Sequence, residues 1–363
     1  MTLPTKQEIF SLLKSNYYIL IALGVGVRVL MLLFVYLEIP FSFLGRGAMG
    51  DVLLNYYDID SVFTGEWKWN QNDLAYPPIS VFLLVFLRIA AFNNLYIFFF
   101  YAFILELLTI SLFYPVLKRF QVDYSKVIFG LLFVNPLYFF SYVSRFFISG
   151  LRITDSFFLI WLLLSLYFYP KDDKKYFYFF LGMSMCAKWY TLPVFPLFII
   201  KYAVEKRWEE LKKMLLYMTL PIFIFLITPV FYLPNYLNLY INWALEGNPL
   251  TQIIPIYIKI IPFLVLLSIV LYNIKNVDRM TLTFLSLVLT TSYILFSRFY
   301  IRYFAPLLLY GHLFYYKSSQ QIQEDGKTKA IDTHCNIFLA SIALGTISLL
   351  ISYLELLFYT TIY

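Results

Sequence analysis

Long apolar runs separated by short polar loops dominate the chain. They fall near Tyr18–Phe41, Leu95–Leu117, Val127–Val143, Ile153–Tyr169, Leu215–Leu233, Ile253–Tyr272, Met280–Phe296, Tyr303–Tyr316 and Ile337–Phe358. Runs near 20 residues match the hydrocarbon thickness of a bilayer. There the backbone must satisfy its own hydrogen bonds, so each run is expected to be a helix. The alternating polar-in pattern of a β-barrel is absent from the sequence. Two segments depart from the rule. Pro77–Phe92 is short, opens on Pro77-Pro78 and ends at Asn93-Asn94, which predicts a re-entrant or surface helix. Tyr176–Ala203 is too long for one ordinary span and is interrupted by Lys188, Pro193 and Pro196. It is expected to form two short helices joined by a break at membrane depth. The pattern therefore predicts an all-α, polytopic transmembrane helical bundle of about 10–11 spans, in one integral membrane domain over residues 1–363.

Composition sharpens this. The chain is 61% hydrophobic and 13% charged, against roughly a quarter charged in soluble domains. The net charge of +7 comes from Lys and Arg in short loops, as the positive-inside rule places them, and not from a basic nucleic-acid face. Cys186 and Cys335 lack metal-site spacing and are expected to be free thiols. The first apolar run follows a short basic segment with no small-residue cleavage site, so a retained signal-anchor helix is expected. Basic clusters at Lys118-Arg119, Lys171–Lys175, Glu205–Lys213, Lys275–Arg279 and Lys317–Lys329 are assigned to the cytoplasmic side. The opposite side then receives Gly45–Tyr76, Ser144–Arg152, Lys188, Pro234–Gln252 and Ser297–Arg302. No internal repeat is evident, which weighs against a transporter built from repeated halves.

The candidate chemistry lies on that second side. In "GDVLLNYYDIDSVFTGE", four carboxylates fall within the sixteen residues from Asp51 to Glu66. Asp51, Asn55 and Asp58 share one helix face, and Asp60 is expected roughly opposite Asp51 on the same helix. Such a helix could simply lie solvated on the membrane surface, or one carboxylate could act as a general base. Arg145, Arg152, Lys188, Arg298 and Arg302 fall at helix ends or breaks on that side. Each alone suits a snorkelling cation; together they suit an anionic lipid head group whose departing phosphate needs fixed positive charge. Arg28 and Glu106 sit within spans, should face the bundle interior, and serve either as structural partners or in the site. An acid cluster without His is compatible with Mg²⁺ or Mn²⁺ and requires neither. A lipid or sugar transporter or flippase, and a non-catalytic subunit of a glycosyltransferase complex, are the competing classes.

Several short elements occur in a telling order: Tyr76-Pro77-Pro78, Glu106-Leu107-Leu108-Thr109, Asn135-Pro136-Leu137, Ser144-Arg145, Thr154-Asp155-Ser156, and Lys188-Trp189-Tyr190 followed by Pro193 and Pro196. They resemble the first GPI mannosyltransferase, a member of the GT-C class, over roughly residues 40–200. The resemblance implies a membrane glycosyltransferase. It would move mannose, or another hexose, from a polyprenyl-phosphate donor to a glycolipid or glycan acceptor, with inversion. The reaction would take place on the non-cytoplasmic face of the endoplasmic reticulum or of a prokaryotic plasma membrane, and a small membrane subunit could accompany the chain. Asp58-Ile59-Asp60 and Val62-Phe63-Thr64 resemble the family's acidic loop with compressed spacing. Counting fourteen residues back from Gly65 lands on Asp51. The first acid position is then Met49, so the acidic motif is incomplete. Asp51 is the expected base and Asp58 the next choice. Lys188, Arg145, Arg298 and Arg302 would receive the donor phosphate, with Asp155, Asp60 and Tyr76 in support.

Overall fold

The computed structural model describes residues 6–37, 51–63, 76–122, 124–139, 151–171, 173–227, 255–297, 301–319, 334–344 and 346–347. These residues are helical, with no strand among them. The chain divides into two compact units assembled from separate stretches. Unit 1 takes residues Met1–Tyr56, Arg88–Ser156 and Leu308–Tyr363; unit 2 takes Tyr57–Leu87 and Phe157–Leu307.

Unit 1 contains α1 (Lys6–Ser15), α2 (Tyr17–Tyr36), α6 (Leu95–Ser111), α7 (Phe113–Arg119) and α8 (Ser125–Val134). It also holds most of α15 (Ala305–Ser319) and a helix at His334–Leu344. Asn94 starts α6 as its N-cap, its Oδ1 accepting from the Tyr96 and Ile97 amides at 2.9 and 3.1 Å, which satisfies two otherwise orphaned donors. With α7 it forms the run Leu95–Arg119, among the described residues the one helix long and apolar enough to cross a membrane. The other apolar helices have 10–17 residues.

At the centre of unit 1, Arg28 on α2 and Glu106 on α6 are both fully buried and paired at 2.5 Å. The guanidinium also donates to the carbonyls of Gly24 (2.9 Å) and Phe133 and lies 4.1 Å from the Phe139 ring centre. Gly24 makes this possible: a Cβ there would strike the Phe133 carbonyl and sit 2.7 Å from the Phe133 Cβ. Small residues let helices approach closely, and here the approach delivers the Phe133 carbonyl to the arginine.

Unit 2 contains α4 (Asp60–Phe63), most of α5 (Pro78–Ala90), most of α9 (Ile153–Phe168), α10 (Lys175–Ala187), α11 (Val194–Val204) and α12 (Trp208–Ile222). It is completed by α13 (Ile256–Tyr272) and α14 (Arg279–Ser297). Gly182 plays the same part between α10 and α12, where a Cβ would lie 2.7 Å from the Met218 carbonyl and the Pro221 ring. Beside the start of α10, Tyr178 donates to Glu210 (2.9 Å) and shares a hydrogen bond with Tyr202 (2.9 Å), while Arg279 pairs with Glu210 at 2.7 Å. Burial works against the Arg279 charge, but Tyr178, Tyr202 and Glu210 offset it and hold its pKa above the ordinary value. Lys201, also buried, reaches Glu205 at 2.7 Å and the Ile274 carbonyl at 3.0 Å.

Several boundaries differ from the sequence expectation. The basic stretch Glu205–Lys213, expected as a loop, is helical from Trp208. Glu209 and Glu210 in its first turn suit the positive end of the helix dipole, and Lys212 pairs back to Glu209 at 2.9 Å. The run Val127–Val143 is helical only to Val134. Pro136 cannot continue a helix, and Asn135 turns the chain by accepting from the Leu137 amide at 3.1 Å; residues 140–143 lie outside the described residues. The helix expected from Tyr303 starts at Ala305, after a 3₁₀ turn over Ile301–Phe304. That expected from Ile337 starts at His334, and its continuation from residue 348 lies outside the described residues.

Apolar side chains point outward along α2 (Leu23, Leu30, Leu33), α12 (Leu216, Leu220) and α13 (Ile261, Val265, Ile269), while Arg28, Arg88, Glu106 and Lys201 are buried. Breaking a buried ion pair costs more than replacing it whole. Glu106→Ala should therefore lower the unfolding free energy by about 3–5 kcal/mol, and Arg28→Met with Glu106→Leu by clearly less. Denaturant titration of the purified protein distinguishes the two; equal losses would show that the pair contributes only packing.

Candidate site at the Lys188 break

The long run Tyr176–Ala203 does form two helices, with the break where the sequence placed it. α10 ends at Ala187, Lys188 is extended (φ −154°, ψ 149°), Trp189–Thr191 make one 3₁₀ turn, and α11 begins at Val194. Such a break frees backbone groups that need partners, and the structure supplies them. Ser80, on the first turn of α5, donates its hydroxyl to the Ala187 carbonyl at 2.8 Å. Thr290 on α14 donates to the Tyr190 carbonyl at 2.8 Å, and the hydroxyls of Ser184 and Thr191 bond each other across the break at 2.9 Å.

Tyr190 is the hub of this region. Its ring packs on Phe158 of α9 (4.9 Å between centres) and on Tyr303 of the Ile301–Phe304 turn (6.1 Å), and the Lys188 Nζ stands 5.7 Å from its centre. Pro77-Pro78 fixes the entry to α5, where proline suits the first turn, and Tyr76 is half-buried just before it. The tyrosine–proline turn and the lysine break are thus joined by a bond between residues 107 positions apart. Arg302 lies in the turn that carries Tyr303. Lys188, Tyr76 and the Arg302 segment consequently belong to one region of unit 2.

The acidic stretch behaves differently from expectation. Asp51 opens α3 and Asp58 closes it, with Asn55 between them buried. Val52, Leu53, Tyr56 and Ile59 are buried too, so this helix is not a solvated surface segment. Asp60 is not opposite Asp51 on the same helix: α3 stops at Asp58, and Asp60 heads the separate α4. A carboxylate is unfavourable at a helix C-terminus and favourable in a first turn, which favours a stop between the two acids. Arg88, missed in the sequence, caps the end of α3 by donating to the Tyr56 carbonyl at 2.6 Å with its guanidinium 4.2 Å from the Tyr56 ring centre. The signal was available: a cation in an apolar helix, as at Arg28.

Asp155 is buried in unit 1 and accepts from the Arg152 amide at 2.8 Å. That is half of a capping box at the start of α9, a structural task. Arg145 and Arg298 lie outside the described residues. Among the described residues no group of three or more His, Cys, Asp or Glu stands together as a metal site. Both cysteines are free, as expected. Comparison with family models, with curated proteins and with solved structures finds no match for the chain.

Ser80→Ala should leave the buried Ala187 carbonyl without this donor and destabilise the protein by about 1–3 kcal/mol, read from the denaturation midpoint. Ser80→Thr, which keeps the hydroxyl, should recover most of the loss; equal losses in both would assign the cost to packing alone.

Proposed function

We propose that this chain is an integral membrane glycosyltransferase of the GT-C type that takes a hexose, mannose in the first instance, from a polyprenyl-phosphate donor. The membrane setting is supported by outward-facing apolar side chains on α2, α12 and α13 around buried charges. Large exposed apolar surfaces mark contact with something other than water, and charges inside apolar helices belong to an interior or a polar path. The observation that carries the reading is the Ser80–Ala187 bond. It joins two separate elements of the family resemblance, Tyr76-Pro77-Pro78 and Lys188-Trp189-Tyr190, in one unit.

In this mechanism a carboxylate, Asp51 before Asp58 on the sequence pattern alone, accepts the proton of an acceptor hydroxyl. The hydroxyl oxygen bonds to the anomeric carbon as the bond from that carbon to the phosphate oxygen breaks on the opposite face, which inverts the centre. The electron pair leaves with the lipid phosphate, whose charge Lys188 and Arg302 offset. Lysine at a helix break is suited to this: it is a point charge on a flexible stem, here with its Nζ 5.7 Å from the centre of the Tyr190 ring.

The test is transfer from radiolabelled polyprenyl-phosphate-mannose in membranes containing the protein. Lys188→Ala should lower transfer about 100-fold or more, the scale for losing one electrostatic contact in the transition state, at unchanged protein level. Asp51→Asn should abolish it and Asp60→Asn should not. No transfer by the wild type would remove the enzyme reading; transfer by Lys188→Ala at the wild-type rate would remove the phosphate role.

A further inference from the structure

Three contacts in register show that α2 and α8 run side by side in the same direction. Leu13, shortly before α2, packs on Val127 near the start of α8. One turn further on, a Cβ at Gly130 would lie 3.1 Å from the Tyr17 carbonyl, and beyond that a Cβ at Gly24 would strike the Phe133 carbonyl. The α1–α2 junction and the connection from α7 to α8 therefore share one end of unit 1.

That end is cationic. Lys14, Lys118, Arg119 and Lys126 are all exposed. Over residues 6–14 and 118–126 there are five cations and two carboxylates, Glu8 and Asp123, which leaves a net charge of +3. Two of the lysines stand over tyrosine rings. The Lys126 Nζ is 5.3 Å from the Tyr17 ring centre, and the Lys118 Nζ is 4.9 Å from that of Tyr114. The Tyr114 ring in turn leans on Phe129, 5.0 Å away between centres and one turn along α8 from Lys126. The patch is thus assembled from stretches about a hundred residues apart.

Beside the charge the exterior turns apolar. Leu12, Tyr18, Ile19 and Leu23 are 65%, 58%, 46% and 57% exposed. A nucleic acid would be met by the cations alone. The border of a bilayer uses both kinds of surface, with lysine and tyrosine at head-group level and aliphatic side chains below them. The loop charges assign Lys118-Arg119 to the cytoplasmic side, and the cytoplasmic leaflet is the one that carries anionic lipids.

We propose that this end of unit 1 is a binding surface for anionic phospholipid head groups, whose phosphates are met by Lys14, Lys118, Arg119 and Lys126. The inference rests on the membrane setting proposed above and is independent of the sugar-transfer chemistry.

The test uses the full-length protein in neutral detergent, with its thermal midpoint followed as phosphatidylglycerol is added. A ligand that binds only the folded chain raises the midpoint as it saturates, so the titration gives an apparent Kd. Phosphatidylcholine with the same acyl chains should raise the midpoint less. Lys118→Gln with Arg119→Gln, and separately Lys14→Gln with Lys126→Gln, should each raise the Kd about 25-fold, at about 5-fold per cation removed. Their lipid-free midpoints should match the wild type. Lys118→Arg with Lys126→Arg, which keeps the charge, should bind as the wild type does, and so should Lys212→Gln with Lys213→Gln, exposed cations of unit 2. Equal stabilisation by the two lipids, or an unmoved Kd in both charge-removing pairs of unit 1, would overturn the surface. Glycerol phosphate acting as well as the lipid would overturn it in favour of a soluble anion. Release of the wild type from membranes by alkaline carbonate would overturn the membrane setting itself, whereas retention together with a failed lipid titration would overturn this surface alone.

Discussion

A full positive charge and a full negative charge in the interior of an apolar helical unit constrain everything around them. Arg28 and Glu106 are fully enclosed, and the cost of removing two ions from water is several kcal/mol each. That cost is offset by a close contact and by acceptors for Nε and Nη1, while Nη2 is buried without a hydrogen-bond partner among the described residues. α2 must therefore reach α6 at one height and α8 at another, because the guanidinium takes Glu106 from the first and the Phe133 carbonyl from the second. Gly24 follows from the same demand, since a side chain there would hold α8 away. The turn after α8 brings Phe139 under the guanidinium, where its ring face adds a further stabilising contact. One ion pair thus fixes three helices and a turn.

Unit 2 solves a different problem with different means. Its interior contains an interruption in place of a charge pair, and hydroxyl groups drawn from α5, α10 and α14 receive the backbone and the side chains left over by it. Arg279 and Lys201 are tied into closed networks with Glu210 and Glu205, whereas Lys188 rests against an aromatic ring. The first two are committed to holding helices together. Lys188 stands at the break itself, extended between α10 and the turn that carries Tyr190.

The all-helical plan was legible in the sequence as long apolar runs without strand alternation, although among the described residues only Leu95–Arg119 is long and apolar enough to cross a membrane. The break at Lys188 was legible for the same reason: the run was too long, and two prolines followed a lysine. What could not be read was partnership. Arg28 and Glu106 each announced burial, but nothing in a linear pattern says that residues 78 positions apart meet. Ser80 falls in the first turn of the helix expected from Pro77, and its bond to Ala187 exists only in three dimensions. Asp60 was misplaced because helical periodicity was extended across a point where dipole and charge favour a stop.

The Asn94 cap has a consequence for how such a chain can change over time. From the cap to Glu106 the path is one uninterrupted helix, in which every residue turns the next by about 100°. One residue inserted or lost between them would rotate the carboxylate away from Arg28 while leaving every amino acid in place. Within this stretch length itself is a functional property, as binding as the identity of any side chain. Substitutions at its exposed positions, such as Phe100 and Ile104, would leave that register intact, whereas a change of length would not. Growth and shortening would be confined to the connections outside it.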